Sequence, residues 1–343
     1  MREGRYVICF ENRPDIIAWS AVVGKKEGEG PLGNQFDMVI DDVTDGKDTW
    51  EQAESEFQKK SIGVLLDKAG LKDVQIDAIY AGDLLNQCSG TGFGIRGYEI
   101  PFSGVYGACS TSVLSMINAA IGVSSGMFNK AIASTSSHFC SAEKQFRLPL
   151  EYGGQRSPTA QWTVTGAASA LLAKGSNTLT PKAEKAIIGR IVDKGVTDSA
   201  NMGAAMAPAA AQTIADFLED TGTLPEDYDL ILTGDLGKIG SELLYELLEK
   251  EYSINIRNVH NDAGLMIYYL DEQDVHAGGS GCACCGTVMC SKILNELENG
   301  KLNKVLVVAT GALLSAISPL QGESIPCVAH GILLTNGREN NEK

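Results

Sequence analysis

No apolar run in this sequence approaches the ~20 residues that a bilayer-spanning helix needs. The longest, residues 305–317, is interrupted by Gly311 and Ser315. Positive charge is also scarce, with 28 Lys and Arg against 43 Asp and Glu, a net −15 at pH 7 over 343 residues. That balance argues against a surface that grips nucleic-acid phosphates or lies along anionic lipid, because both need clustered cations. Nine cysteines are too dilute for a disulfide framework, and an odd number cannot all pair within one chain, so a reducing compartment is expected. The opening MREGRYVICFENRP breaks its short apolar run at Glu11 to Pro14, so no secretory signal is expected. What the chain does have is 44% hydrophobic residues and 38 glycines, many of them inside apolar runs. A large core with many tight turns and close backbone approaches follows.

The chain repeats itself. DAIYAGDL at 77–84 recurs as DLILTGDL at 229–236, an offset of 152, and VTD at 43–45 recurs at 196–198. Downstream, Gly126, Asn129 and Lys130 match Gly300, Asn303 and Lys304 at an offset of 174, so the second copy carries about 22 extra residues. Each copy reads helix, strand, helix, strand. Trp50, Ala53, Phe57 and Leu65 keep a helical period before a short apolar strand near 76–81. The run 105–126 reads as a strand turning into a helix, and 131–135 as a further strand. Continuous apolar strands between helices predict a mostly parallel sheet covered on both faces. The expected fold is therefore α/β, with two duplicated halves, 1–177 and 178–343, packed as alternating helix and sheet layers.

With GACSTS at 107–112 placing Cys109 at a strand-to-helix turn, two such halves resemble the thiolase and ketoacyl-synthase superfamily over nearly the whole chain. More narrowly, AGDLLNQ at 81–87, TSSH at 135–138, EYGGQ at 151–155 and GRIVDKGVTD at 189–198 are similar to the stage V sporulation protein AD family. So are MGAAMAPAAA at 202–211, LTGDL at 232–236, GGSGCAC at 278–284, ATGAL at 309–313 and SIPCVAHG at 324–331. The resemblance implies a thiolase-like protein of spore-forming bacteria that binds dipicolinate, free or as its calcium chelate, and helps move it into the forespore and out during germination. It also implies integral membrane partners in a SpoVA-type complex, a peripheral place at the spore inner membrane on the cytoplasmic face, and a homodimer.

A condensing enzyme of this superfamily needs a cysteine thiolate with partners that lower its pKa, move protons and hold an oxyanion. Cys109 sits well for that, since a helix start favours an anion. Its expected partners are missing: Gly234 and Asp235 stand where the resemblance calls for a histidine, glycines follow His276 where a second is called for, and Thr310 stands for a second cysteine. The expectation is a binding pocket with its proton-transfer chemistry gone, with acyl transfer by Cys109 as the alternative. No cofactor is expected.

Dipicolinate, flat with two carboxylates, needs an apolar slot and donors at both ends. Candidate contacts are Cys109, Ser110 and Ser112 at the helix start, His138 and Arg147 beyond the first-half core, and Asp83 and Asn86 after its strand. Asp83 and Asp235 occupy equivalent strand ends, where capping the next helix is the commoner role and calcium ligation the alternative. Cys282, Cys284, Cys285 and Cys290 lack the paired spacing of zinc sites and read as core, so no metal is expected. GGSG at 278–281 lacks the lysine of a phosphate loop.

Overall fold

The computed structural model describes residues 1–146, 156–175 and 179–338. Arg147, the EYGGQ motif and the expected boundary at 177/178 lie outside the described residues. The first half runs β1 (Asp15–Gly24), α1 (Trp50–Ala69), β2 (Ala78–Gly82), β3 (Phe102–Gly104), α2 (Thr111–Ser124), β4 (Lys130–Ser137) and β5 (Gly166–Ala173). The second runs β6 (Lys182–Ile187), α3 (Met202–Thr221), β7 (Leu230–Thr233), α4 (Gly237–Leu247), β8 (His260–Asp262), α5 (Cys282–Val288, continued to Glu298), β9 (Lys304–Ala312) and β10 (Cys327–Thr335).

Strand order makes the duplication visible. Read across, it is β8-β7-β9-β10-β6 and then β1-β5-β4-β2-β3, one half the mirror sequence of the other, joined where Lys182 pairs with Asp15. Start of β2 to start of β7 keeps the 152 offset, and start of β4 to start of β9 keeps the 174 offset. The additional residues therefore lie between β7 and β9, where α4 and β8 lie. Helices α1 and α3 also share their ends: Thr49 Oγ1 accepts from Gln52 N and Asn201 Oδ1 from Ala204 N, while Gly70 and Gly222 close them at φ 63° and 60°. Those left-handed closures suit glycine.

The layers follow from which faces are apolar. In β9, Leu306 and Val308 pack outward with Ile214, Phe217 and Leu333, while Val305 and Val307 face inward to the cluster holding Val113, Ile117, Cys285 and Val288. Both faces of the strand are buried, which is why its sequence is continuously apolar. On the other sheet, Ile62 and Leu65 of α1 cover Ile79, Ile132 and Leu171. Helices α2 and α5 thus lie between the two halves of the sheet, with α1 and α3 outside. Small residues let the central helices fit: a Cβ on Gly286 would stand 2.9 Å from Thr135 Cγ2 and 3.1 Å from Ala168 Cβ.

Two expectations need correction. The sheets are mixed, because β5 is antiparallel to β1 and β4, and β10 is antiparallel to β6 and β9. The apolar strand pattern reports burial on both faces and carries no information about direction. Residues 105–110 form no extended strand beyond one bridge from Gly107 to Cys109; they are the turn that starts α2.

Candidate functional site

The turn before α2 is fixed by its own side chains. Ala108 is left-handed at φ 50°. Thr111 Oγ1 accepts from Gly107 N at 3.0 Å and donates to Ala108 O at 2.7 Å, and Ser110 Oγ donates to Gly107 O. This aims Cys109 away from the helix into the space between the halves. The second half closes on the turn from behind: a Cβ on Gly311 of β9 would lie 2.2 Å from Gly107 O, so only glycine fits. His330 of β10 also reaches this turn, its Nε2 3.5 Å from where a Gly107 Cβ would stand. Its Nδ1 accepts from Gly189 N at 3.1 Å, which leaves the proton on Nε2, and burial pushes the ring down to about 4.

Asp235 faces Cys109 from the end of β7. It is buried and accepts from Ser280 Oγ at 2.9 Å, Gly281 N at 3.0 Å and Thr310 Oγ1 at 2.7 Å. Cys109 Sγ lies 4.0 Å from Ser280 Oγ. Burial pushes the Cys109 thiol well above its usual value, and the Asp235 charge and hydrogen bond push it the same way. A helix start normally favours thiolate; here desolvation and an adjacent acid win, and the sulfur is held as a thiol. Burial raises the Asp235 carboxyl too, against the donors that hold it.

Asp83, the counterpart in the first half, is turned to a different use. Oδ1 accepts from Leu85 N at 2.7 Å and Oδ2 from Thr91 N at 2.6 Å, so it caps the short helix Ser89–Ile95. Beside it is the buried Glu54, whose carboxylate accepts from Ser141 Oγ at 2.6 Å and Ser136 Oγ at 3.3 Å. Burial first, then the Asp83 charge, holds Glu54 well above the carboxylate range. Asp235 departs from the capping expectation: in its half Asp262 does that work, accepting from Leu236 N, Gly237 N and Gly264 N. Asp262 ends β8 at the place where its mirrored strand β3 ends in Gly104, and this second aspartate frees Asp235.

The remaining candidates separate. A cavity of about 30 Å³, room for a water or two, is lined by Cys109 with Leu84, Tyr106, Phe146, Thr163 and Ser280 among others. Ser110 is buried beneath it, engaged in the turn. Ser112 is buried on the opposite side, next to Gly286 of α5. His138 is buried with both ring nitrogens engaged, Nε2 with Val43 O at 2.8 Å and Nδ1 accepting from Cys140 N at 3.2 Å. It ties a surface loop to β4 and does not line the cavity. Asn86 is exposed and paired with Gln145 at 3.1 Å. His276 is held by Ser157 O and Asp274, away from Cys109. Cys282, Cys284, Cys285 and Cys290 are buried in α5 and its continuation, with Cys282 Sγ donating to Ser136 O at 2.8 Å. No group of three metal-ligating side chains occurs among the described residues, and no helix there is long and apolar enough to cross a membrane. Ser280, missed in the sequence, carried no signal beyond its glycine-rich surroundings.

Comparison with known proteins agrees with this architecture. The chain resembles the crystal structure of 3-oxoacyl-[acyl-carrier-protein] synthase III from Aquifex aeolicus, covering 94% of this chain and 99% of that one at a TM-score of 0.55 and 12% identity. It also resembles a crystal structure of OleA from Xanthomonas campestris, covering 96% and 98% at a TM-score of 0.62 and 13% identity. The fold is thiolase-like; identities this low speak to fold alone. In sequence it is 43% identical over 330 residues, 96% of each chain, to stage V sporulation protein AD of Bacillus subtilis. The family model for stage V sporulation protein AD matches residues 4–335, and the chain belongs to that sporulation protein family.

Proposed function

We propose that this protein binds dipicolinate, free or with calcium, in a thiolase-like site that no longer transfers acyl groups. In this reading it serves a SpoVA-type membrane complex in loading the forespore and in release at germination. The observation that carries the loss of chemistry is Asp235: an acid with three donors faces Cys109, and burial and charge keep the thiol protonated. Dipicolinate itself comes from the family likeness. Cys109 at the start of α2 would meet one carboxylate, with Ser110 holding the turn beneath it, Asp83 and Asn86 shaping the approach and Arg147 a candidate partner for the other. Entry of a planar dicarboxylate would require Phe146 and Tyr106 to swing from the cavity of about 30 Å³. The protein would act from the cytoplasmic face of the spore inner membrane on integral partners, as a homodimer. Edge strand β3, with Phe102, Ser103 and Gly104 all exposed, offers unpaired backbone groups that a second copy would cover.

Calorimetric titration with dipicolinate, with and without Ca²⁺, tests this. Saturable binding that weakens at least tenfold in Cys109→Ala, with no acylation of Cys109 by a thioester, is the expected result. No heat in the wild type together with stoichiometric acylation at Cys109 would favour the acyltransferase and end the proposal.

A further inference from the structure

Two cations meet on one aromatic ring next to the Cys109 cavity. Thr163 lines that cavity, and its neighbour Trp162 belongs to the same two-residue strand, which pairs with Gly279–Ser280. Phe139 stacks on the Trp162 ring at 3.6 Å and 4°. Two cations also lie on that indole: Lys26 Nζ is 4.1 Å from its centroid and Arg156 Cζ is 4.8 Å. They are therefore within about 9 Å of each other, close enough for one multivalent anion to meet both.

Their protein partners leave them incompletely matched. Among the described residues Asp274 is the one carboxylate in ion-pair range, its Oδ1 3.3 Å from Arg156 Nη2 and also 3.0 Å from His276 Nε2. Lys26 Nζ donates to the Gln273 carbonyl and forms no ion pair among the described residues. Arg156 Nη1 is buried and has no hydrogen-bond partner among them. An unsatisfied charged donor out of water is strongly unfavourable, and two cations sharing an aromatic platform repel each other even in a chain of net −15. A bound anion would relieve both.

We propose that Lys26, Arg156 and Trp162 form an oxyanion-binding site for a free multivalent anion of the phosphate type, separate from the Cys109 cavity. Lys26 supplies a point charge, Arg156 a planar fork with Nη1 unpaired, and Trp162, held by Phe139, fixes both. The same chemistry occurs in a phospholipid headgroup. The chain's acidity opposes approach to an anionic membrane, which favours the free anion.

The test uses inorganic pyrophosphate as the probe and tryptophan emission as the readout, with the full chain. Wild type should show a saturable change. Lys26→Gln and Arg156→Gln should each weaken it at least tenfold at unchanged melting temperature, Trp162→Phe should remove the signal, and Cys109→Ala should leave it intact. In a second arm, co-sedimentation with phosphatidylglycerol vesicles but not phosphatidylcholine vesicles, lost in both charge variants, would support the same chemistry with a headgroup as its source. The proposal is overturned if neither probe binds, or if binding persists in Lys26→Gln and Arg156→Gln. Should one variant fail to fold, the other decides. Loss of dipicolinate binding would leave this site untouched, so the two proposals fail separately.

Discussion

Asp83 and Asp235 began as the same residue in two copies of one half, and they now do different work. Each follows a strand-end glycine. Asp83 directs one oxygen to the Leu85 N–H in the turn and the other to the Thr91 N–H of the next helix. Asp235 directs its own to Ser280, Gly281 and Thr310, a clasp across the second half that ends at Cys109. The difference is made at the end of β8, where Asp262 stands in the place of Gly104 and takes over capping. Duplication supplies the position, but the neighbours decide whether a buried carboxylate is a cap or a wall of the site.

The strand-end glycines should break most severely and unequally. A Cβ at Gly82 would lie 1.8 Å from Val105 O, whereas at Gly234 its nearest neighbour is Ala309 Cα at 2.9 Å. Gly82→Ala is expected to cost roughly 3 kcal/mol or more, the upper end of overpacking effects, and Gly234→Ala about 1–2. Urea unfolding of both variants checks the order, and equal losses would refute it. Next, Asp83→Ala leaves the Leu85 and Thr91 amides unpaired and should destabilise by about 2–4 kcal/mol, with Asp83→Asn losing less.

Reactivity sharpens the comparison. Because the Cys109 pKa is raised, its alkylation by iodoacetamide should be slow at about pH 7 and climb without a plateau through about pH 9. Asp235→Asn removes a nearby negative charge and so lowers the Cys109 pKa, and alkylation at about pH 8 should accelerate several-fold. Asp83→Asn should leave it unchanged, and equal acceleration in both would show that Asp235 holds no special relation to the sulfur. A smaller effect is expected from pH. The folded pKa of buried His330, about 4, lies below its unfolded value, so its contribution is intact above about pH 6.5 and lost as pH falls through about 4. Melting temperature should decline across that window, and His330→Gln should flatten part of the decline.

Much of this was legible in sequence. The two offsets predicted two duplicated halves and located the additional segment between β7 and β9. GACSTS placed Cys109 at its turn, and the crowded spacing of Cys282 to Cys290 read correctly as core, because a buried helix needs small apolar side chains wherever it faces. Strand direction was not legible, since burial on both faces looks alike whichever way a strand runs. Nor was the separation of Ser112 and His138 from the cavity: one turn of α2 carries Ser110 beneath the turn and Ser112 to the far side, and His138 is claimed by a loop 95 residues earlier.

What the sequence determined by itself is the local and the repeated: helix periods, caps at Thr49 and Asn201, glycine closures and the duplication. Each depends on residues a few positions apart or on a copied pattern. The tertiary structure alone decided that Asp235 faces Cys109, that Gly311 backs the turn, and that Lys26 and Arg156 meet on Trp162. Those pairings join segments far apart in the chain, and the electrostatic outcome, a thiol held protonated at a helix start, depends on which groups burial strips of water together.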